Sequence, residues 1–153
     1  MRIEKKLVEM GLELPAVEPN TRSQLIPAVK VGSLLFCSGA GPAASPGKTW
    51  RGKVGRDYTT EEAYEAAKWC AVALLASAKS AIGDLDRVKR VVKVLGMVNA
   101  TEDFEETPQV IHGASDLFVS LFGEMGRHAR SAVGMAALPG GIPVEVEVIL
   151  EVE

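Results

Sequence analysis

The stretch that decides the fold is Pro143-Val144-Glu145-Val146-Glu147-Val148-Ile149-Leu150-Glu151-Val152. Val144, Val146, Val148, Leu150 and Val152 alternate in it with Glu145, Glu147, Ile149, Glu151 and, one residue on, Glu153. A period of two sends the two sets to opposite faces of a strand, one buried and one bearing carboxylates. Upstream, Leu138-Pro139-Gly140-Gly141-Ile142 separates this strand from another over Ser131–Ala137. Val88 to Val98 is rich in β-branched residues and reads as a buried strand. Nearer the start, the apolar runs Leu25–Val31 and Leu34–Ser38 flank Gly32-Ser33. That pattern predicts a two-residue hairpin with Gly32 at positive φ. Pro27 puts the first run at a sheet edge or gives it an irregular start.

Helical spacing appears three times. Ile3, Leu7 and Met10 mark a short amphipathic helix within residues 1–11, stopped by Gly11 and Pro15. Thr59-Thr60-Glu61-Glu62 has the form of a capping box. Behind it Ala63, Ala67, Cys70, Leu74, Ala78 and Ala81 recur on one face up to Gly83, and these small residues let a long helix lie close to a sheet. Thr107-Pro108 supplies an N-cap and an N1 proline for a third helix with Val110, Ala114, Leu117, Phe118 and Leu121 on its apolar face. Residues 39–57 form a long Gly/Pro/Lys-rich loop. The order α, β, β, loop, α, β, α, β, β predicts an α+β layer with the two long helices sharing one face. The other face is left for water or for another subunit. The chain reads as one domain over 1–153, in keeping with its 153 residues.

Composition narrows the function. Aromatic residues are 5%, too few for a base-stacking platform. Lys+Arg 17 against Asp+Glu 20 gives a net charge of −3, which argues against general binding to phosphate backbones. No apolar run approaches the roughly 20 residues needed to span a bilayer. Charges at Arg2, Glu4, Lys5, Lys6 and Glu9 leave no signal-peptide core. Cys37 and Cys70 sit in apolar runs without a C-x-x-C, as buried thiols of a reducing compartment, so the cytoplasm is the expected location.

Several sites tempt and then fail. Gly47-Lys48-Thr49 looks like the tail of a P-loop, but Pro42 stands where its first glycine belongs and Pro46 removes a backbone N–H. His112 and His128 have no thiolate or carboxylate at ligand spacing, so no metal is expected; His112 is the stronger of the two as a site residue. The run Arg87, Lys89, Arg90, Lys93 reads as a solvated sheet edge protected by charge. Arg130, in Gly126-Arg127-His128-Ala129-Arg130-Ser131-Ala132-Val133, is different: a guanidinium at the mouth of a buried strand must find an anion or stay wet. With Glu145 on the carboxylate face of the last strand, it could clamp a small carboxylate substrate and position water. The same two residues could equally form a structural ion pair, and spacing does not choose.

Val31-Gly32-Ser33-Leu34-Leu35-Phe36-Cys37-Ser38-Gly39, Gly83-Asp84-Leu85-Asp86-Arg87-Val88, and Ala129-Arg130-Ser131 followed by Leu138-Pro139 and Val144-Glu145-Val146-Glu147 resemble the reactive intermediate deaminase (RidA, YjgF-like) family over nearly the whole chain. The resemblance implies a chorismate-mutase-like subunit in a homotrimer, with clefts between subunits. It implies hydrolysis of enamine or imine intermediates such as 2-aminoacrylate to 2-keto acids and ammonia, without cofactor or metal. It further implies that Arg130 binds the substrate carboxylate, Glu145 handles the attacking water and Gly39 offers backbone contacts. Leu25 stands where many members have tyrosine, and Ala132 where many have cysteine; both are candidate substrate-binding positions, as is His112. A trimeric binder of small carboxylates is the alternative, and ribonuclease activity, attributed to some relatives, fits the acidity and sparse aromatics poorly.

Overall fold

A computed structural model describes residues 1–153. Its elements are α1 (Arg2–Glu9), β1 (Ala28–Val31), β2 (Leu34–Ala40), α2 (Thr60–Ile82), β3 (Val88–Asn99), α3 (Thr107–Phe122), β4 (Ala129–Met135) and β5 (Val144–Val152). The five strands lie in the order β1-β2-β5-β3-β4. Neighbours are antiparallel except β3 and β4, which run parallel because α3 carries the chain across between them.

The last strand is the spine of the sheet. Val144, Val146, Val148, Leu150 and Val152 are all buried, facing α2 and α3 with Leu35 and Cys37 of β2 and Val91, Val94 and Val98 of β3 in register beside them. Each side chain so buried contributes roughly 1.5–3 kcal/mol. The opposite face carries Glu145 beside Met97, Glu147 beside Leu95, and Ile149 between Phe36 and Lys93. No helix covers that face, and Phe36 is 40% exposed.

The hairpin turns at Gly32-Ser33 with Gly32 at φ 58°, and β1 begins directly after Pro27 as an edge strand. The capping box forms as its sequence predicts: the Glu62 N–H donates to Thr59 Oγ1 (3.2 Å) and the Thr59 N–H to Glu62 Oε1 (3.0 Å). Where α2 meets α3 the backbones touch. A Cβ on Gly113 would lie 2.9 Å from the Tyr64 carbonyl carbon, so only glycine fits.

Three expectations change. Thr107 does not cap α3; its hydroxyl donates to the Ala132 carbonyl (3.0 Å), and Glu106 holds the cap position without a side-chain bond. Strand β4 starts two residues before Ser131 and ends at Met135. The basic run is a sheet edge only in part: β4 pairs with β3 from Lys93 onward, which leaves the flank of Lys89 and Arg90 open. Arg87 instead donates to the carbonyls of Ile82 (2.6 Å) and Glu153 (3.0 Å), and Arg90 to that of Arg127 (3.0 Å). Within the long loop, Trp50 packs into the core, 7% exposed, against Tyr58 (5.3 Å between ring centres) with the Lys48 ammonium 3.8 Å above its ring.

Candidate functional site

Arg130 lies on β4 in register with Val94, which turns its side chain to the helix-covered face. As β4 is an edge strand, the guanidinium emerges beside α3 at the rim of that layer. There Nη1 donates to His112 Nδ1 (3.0 Å) and to Ser115 Oγ (3.1 Å), one turn apart on α3. Ser115 reaches on to His128 Nε2 (2.9 Å), and His128 Nδ1 lies 2.6 Å from the Gly126 carbonyl. A carbonyl only accepts, so Nδ1 carries the proton, Nε2 accepts, and the Ser115 hydroxyl donates to it. His112, Ser115, Val119, Arg127, His128 and Arg130 line an open cleft of about 230 Å³.

The electrostatics follow from burial. Partial burial holds the Arg130 guanidinium below its ordinary range while Asp116 pulls the other way; an arginine stays charged regardless. Burial lowers the His128 pKa, the Gly126 carbonyl opposes that and Arg130 adds to it. No carboxylate of the chain lies within ion-pairing distance of Arg130. The nearby Asp116 accepts instead from the Tyr64 hydroxyl (2.7 Å).

The remaining expected site residues fall elsewhere. Ala132 shares the Arg130 face of β4, opposite Gly96. Glu145 is opposite Met97 on the uncovered face, so Arg130 and Glu145 stand on opposite sides of the sheet and do not form a clamp within one chain. Neither do they form the structural ion pair that was the other option. Gly39 lies against Glu145: a Cβ there would be 3.1 Å from the Glu145 carboxyl carbon. Leu25, 58% exposed, precedes β1 at the far edge of the sheet from Arg130. The expected residues therefore fall into two groups, Arg130 with His112 and Ala132, and Glu145 with Gly39. Sequence reading missed Ser115, although its spacing of three from His112 puts both on one helix face.

Three comparisons bear on this arrangement. The family model described as "YjgF/chorismate_mutase-like, putative endoribonuclease" matches residues 4–146. Protein TCP17 of Trypanosoma cruzi is 42% identical over 151 residues, covering 98% of this chain and 94% of that protein. The crystal structure of Atu1372 from Agrobacterium tumefaciens, of unknown function, is 42% identical with a TM-score of 0.89, covering 99% of this chain and 92% of that one. A Shewanella oneidensis structure, described in the same endoribonuclease terms as the family, is 35% identical with a TM-score of 0.91, covering 99% and 100%.

Proposed function

The chain belongs to the YjgF/chorismate-mutase-like family that includes RidA, and on that footing we propose that it hydrolyses reactive enamine or imine intermediates to 2-keto acids and ammonia. The observation that carries this reading is the Arg130 cleft. A half-buried guanidinium, braced by two side chains and free of any acidic partner, is a receptor waiting for an anion. A 2-imino acid offers such an anion beside its C=N carbon.

In the proposed reaction Arg130 holds the carboxylate and fixes the imine carbon. Glu145 takes a proton from one water as its oxygen bonds to that carbon. That proton passes to nitrogen to give a carbinolamine; the hydroxyl proton then follows it through Glu145 to the amino group, the C–N bond breaks, ammonia leaves and the C=O bond forms. The carbon is already electrophilic, so positioning and a carboxylate that relays two protons in turn suffice, with no metal or cofactor. Because Arg130 and Glu145 lie on opposite faces of one sheet, this mechanism needs them from different copies of the chain. We propose a homotrimer whose clefts join the Arg130 half-site of one subunit to the Glu145–Gly39 half-site of the next. The exposed Phe36 face, which no helix covers, supports such packing.

A second reading is a trimer that binds small carboxylates such as keto acids without turnover. What favours it is that the Arg130 cleft alone has a carboxylate receptor but no carboxylate to serve as base. Ribonuclease activity, the other property attached to the family's name, is weakened by the net charge of −3 and the 5% aromatic content. No helix is long and apolar enough to cross a membrane; placement in the cytoplasm is part of the proposal. The test is keto-acid formation from imines made in situ by an amino-acid oxidase, in competition with semicarbazide as trap. Acceleration by the protein supports the deaminase. Saturable keto-acid binding with no acceleration for any imine supports the binder instead.

A further inference from the structure

We propose that Ser115 and His128 are positioning residues that aim Arg130, so that its Nε–Nη2 edge receives the ligand carboxylate side-on. The inference rests on reading Arg130 as the carboxylate anchor and goes beyond it by naming which edge binds and what sets it.

A guanidinium has five N–H donors in a rigid fork, and a carboxylate can be gripped by either of two adjacent pairs, Nη1 with Nη2 or Nε with Nη2. Here Nη1 is occupied twice, by His112 Nδ1 at 3.0 Å and Ser115 Oγ at 3.1 Å. No acceptor in the chain takes Nε or Nη2. One of the two grips is therefore closed and the other left open.

What holds Nη1 is a chain of fixed polarity. The Gly126 carbonyl can only accept, which makes His128 Nδ1 the donor at 2.6 Å. His128 Nε2 is then an acceptor and takes the Ser115 hydroxyl proton at 2.9 Å. That turns a lone pair of Ser115 Oγ toward Arg130, as a guanidinium requires. Were Ser115 free to rotate, its proton could face Nη1 and the hold would be lost. The His128 ring is itself fixed by an edge-on contact with Phe118 of α3, 6.1 Å between ring centres. Asp116, the acid next in sequence to Ser115, is occupied by Tyr64 and does not compete for the open edge.

The test uses calorimetric titration of the whole protein with 2-ketobutyrate and with its uncharged amide. Ser115→Ala and His128→Ala are expected to weaken keto-acid binding about tenfold, the loss of one hydrogen bond to a charged group. Amide binding should stay as it was, so the acid-over-amide preference falls by the same factor. Ser115→Thr, which keeps the hydroxyl, should restore it. Circular dichroism checks folding, and His128→Asn replaces His128→Ala if that variant does not fold. A folded Ser115→Ala protein with unchanged preference overturns the proposal, as does equal weakening of acid and amide, the mark of a merely structural role. If the wild type binds neither ligand, or Arg130→Ala binds as the wild type does, the anchor reading fails and takes this proposal with it. That pattern is distinct from the others.

Discussion

The separation of Arg130 from Glu145 makes a quantitative prediction about mixed assemblies. In one chain Arg130 faces the helices and Glu145 the open sheet, so each cleft of the proposed trimer takes one residue from each of two neighbours. Arg130→Ala and Glu145→Gln are each expected to abolish turnover as pure assemblies. A trimer containing both variants has three interfaces around its ring. Whichever variant is in the majority, one interface pairs an intact Arg130 with an intact Glu145. Mixed trimers should therefore recover about one third of wild-type activity per trimer, since cyclic symmetry gives three equivalent clefts. The assay is co-expression with two different affinity tags, successive purification on both, and imine hydrolysis by the product. Mixed trimers as inactive as either parent would refute the reasoning, because residues acting within one chain cannot complement each other. A solution mass near one subunit would remove the shared cleft altogether.

Other consequences follow from packing and titration. Gly113→Ala places a methyl group against the Tyr64 backbone across the α2–α3 contact, and overpacking of this kind costs about 1–3 kcal/mol; urea unfolding should show that loss, and an unchanged midpoint would contradict the close contact. Burial lowers the His128 pKa in the folded state, so below the ordinary imidazole value of about 6.5 the unfolded chain binds the extra proton first. Stability should therefore fall as pH drops from about 6.5 toward the folded pKa, and His128→Asn should flatten that part of the curve. The thiols of Cys37, pushed up to about 12 by burial, and Cys70, also raised by burial, should resist alkylation at neutral pH until the protein unfolds.

Local signals in the sequence decide most of the elements. The alternation from Val144 to Val152 predicts the buried and open faces of β5, the Thr59–Glu62 box predicts where α2 starts, and Gly32 predicts the hairpin. All three depend on neighbours within a few residues. The features that escape are set by strand order. That β3 is interior from Lys93 onward follows from β5 inserting beside it and α3 returning the chain on its far side, and neither event is encoded near Arg87–Lys93. Thr107 has the side chain of a good cap, but the Ala132 carbonyl competes for its hydroxyl from a strand that is distant in sequence. The site divides in the same way. Arg130 stands out because a permanent charge at a strand mouth needs a partner. Its distance from Glu145 depends on the parallel pairing of β4 with β3, a long-range register that spacing along the chain does not contain. His112 was identifiable as a helix residue, whereas the role of Ser115 emerges only when β4 brings Arg130 alongside α3.

The central claim is that Arg130 anchors the carboxylate of an imine that the protein hydrolyses. Its most direct test is semicarbazide partitioning of imines from several amino acids, run in parallel with the wild type and with Arg130→Ala. The account predicts that wild-type protein diverts at least one imine from semicarbazone to keto acid and that Arg130→Ala, still folded, does not. Equal diversion by both proteins would contradict it.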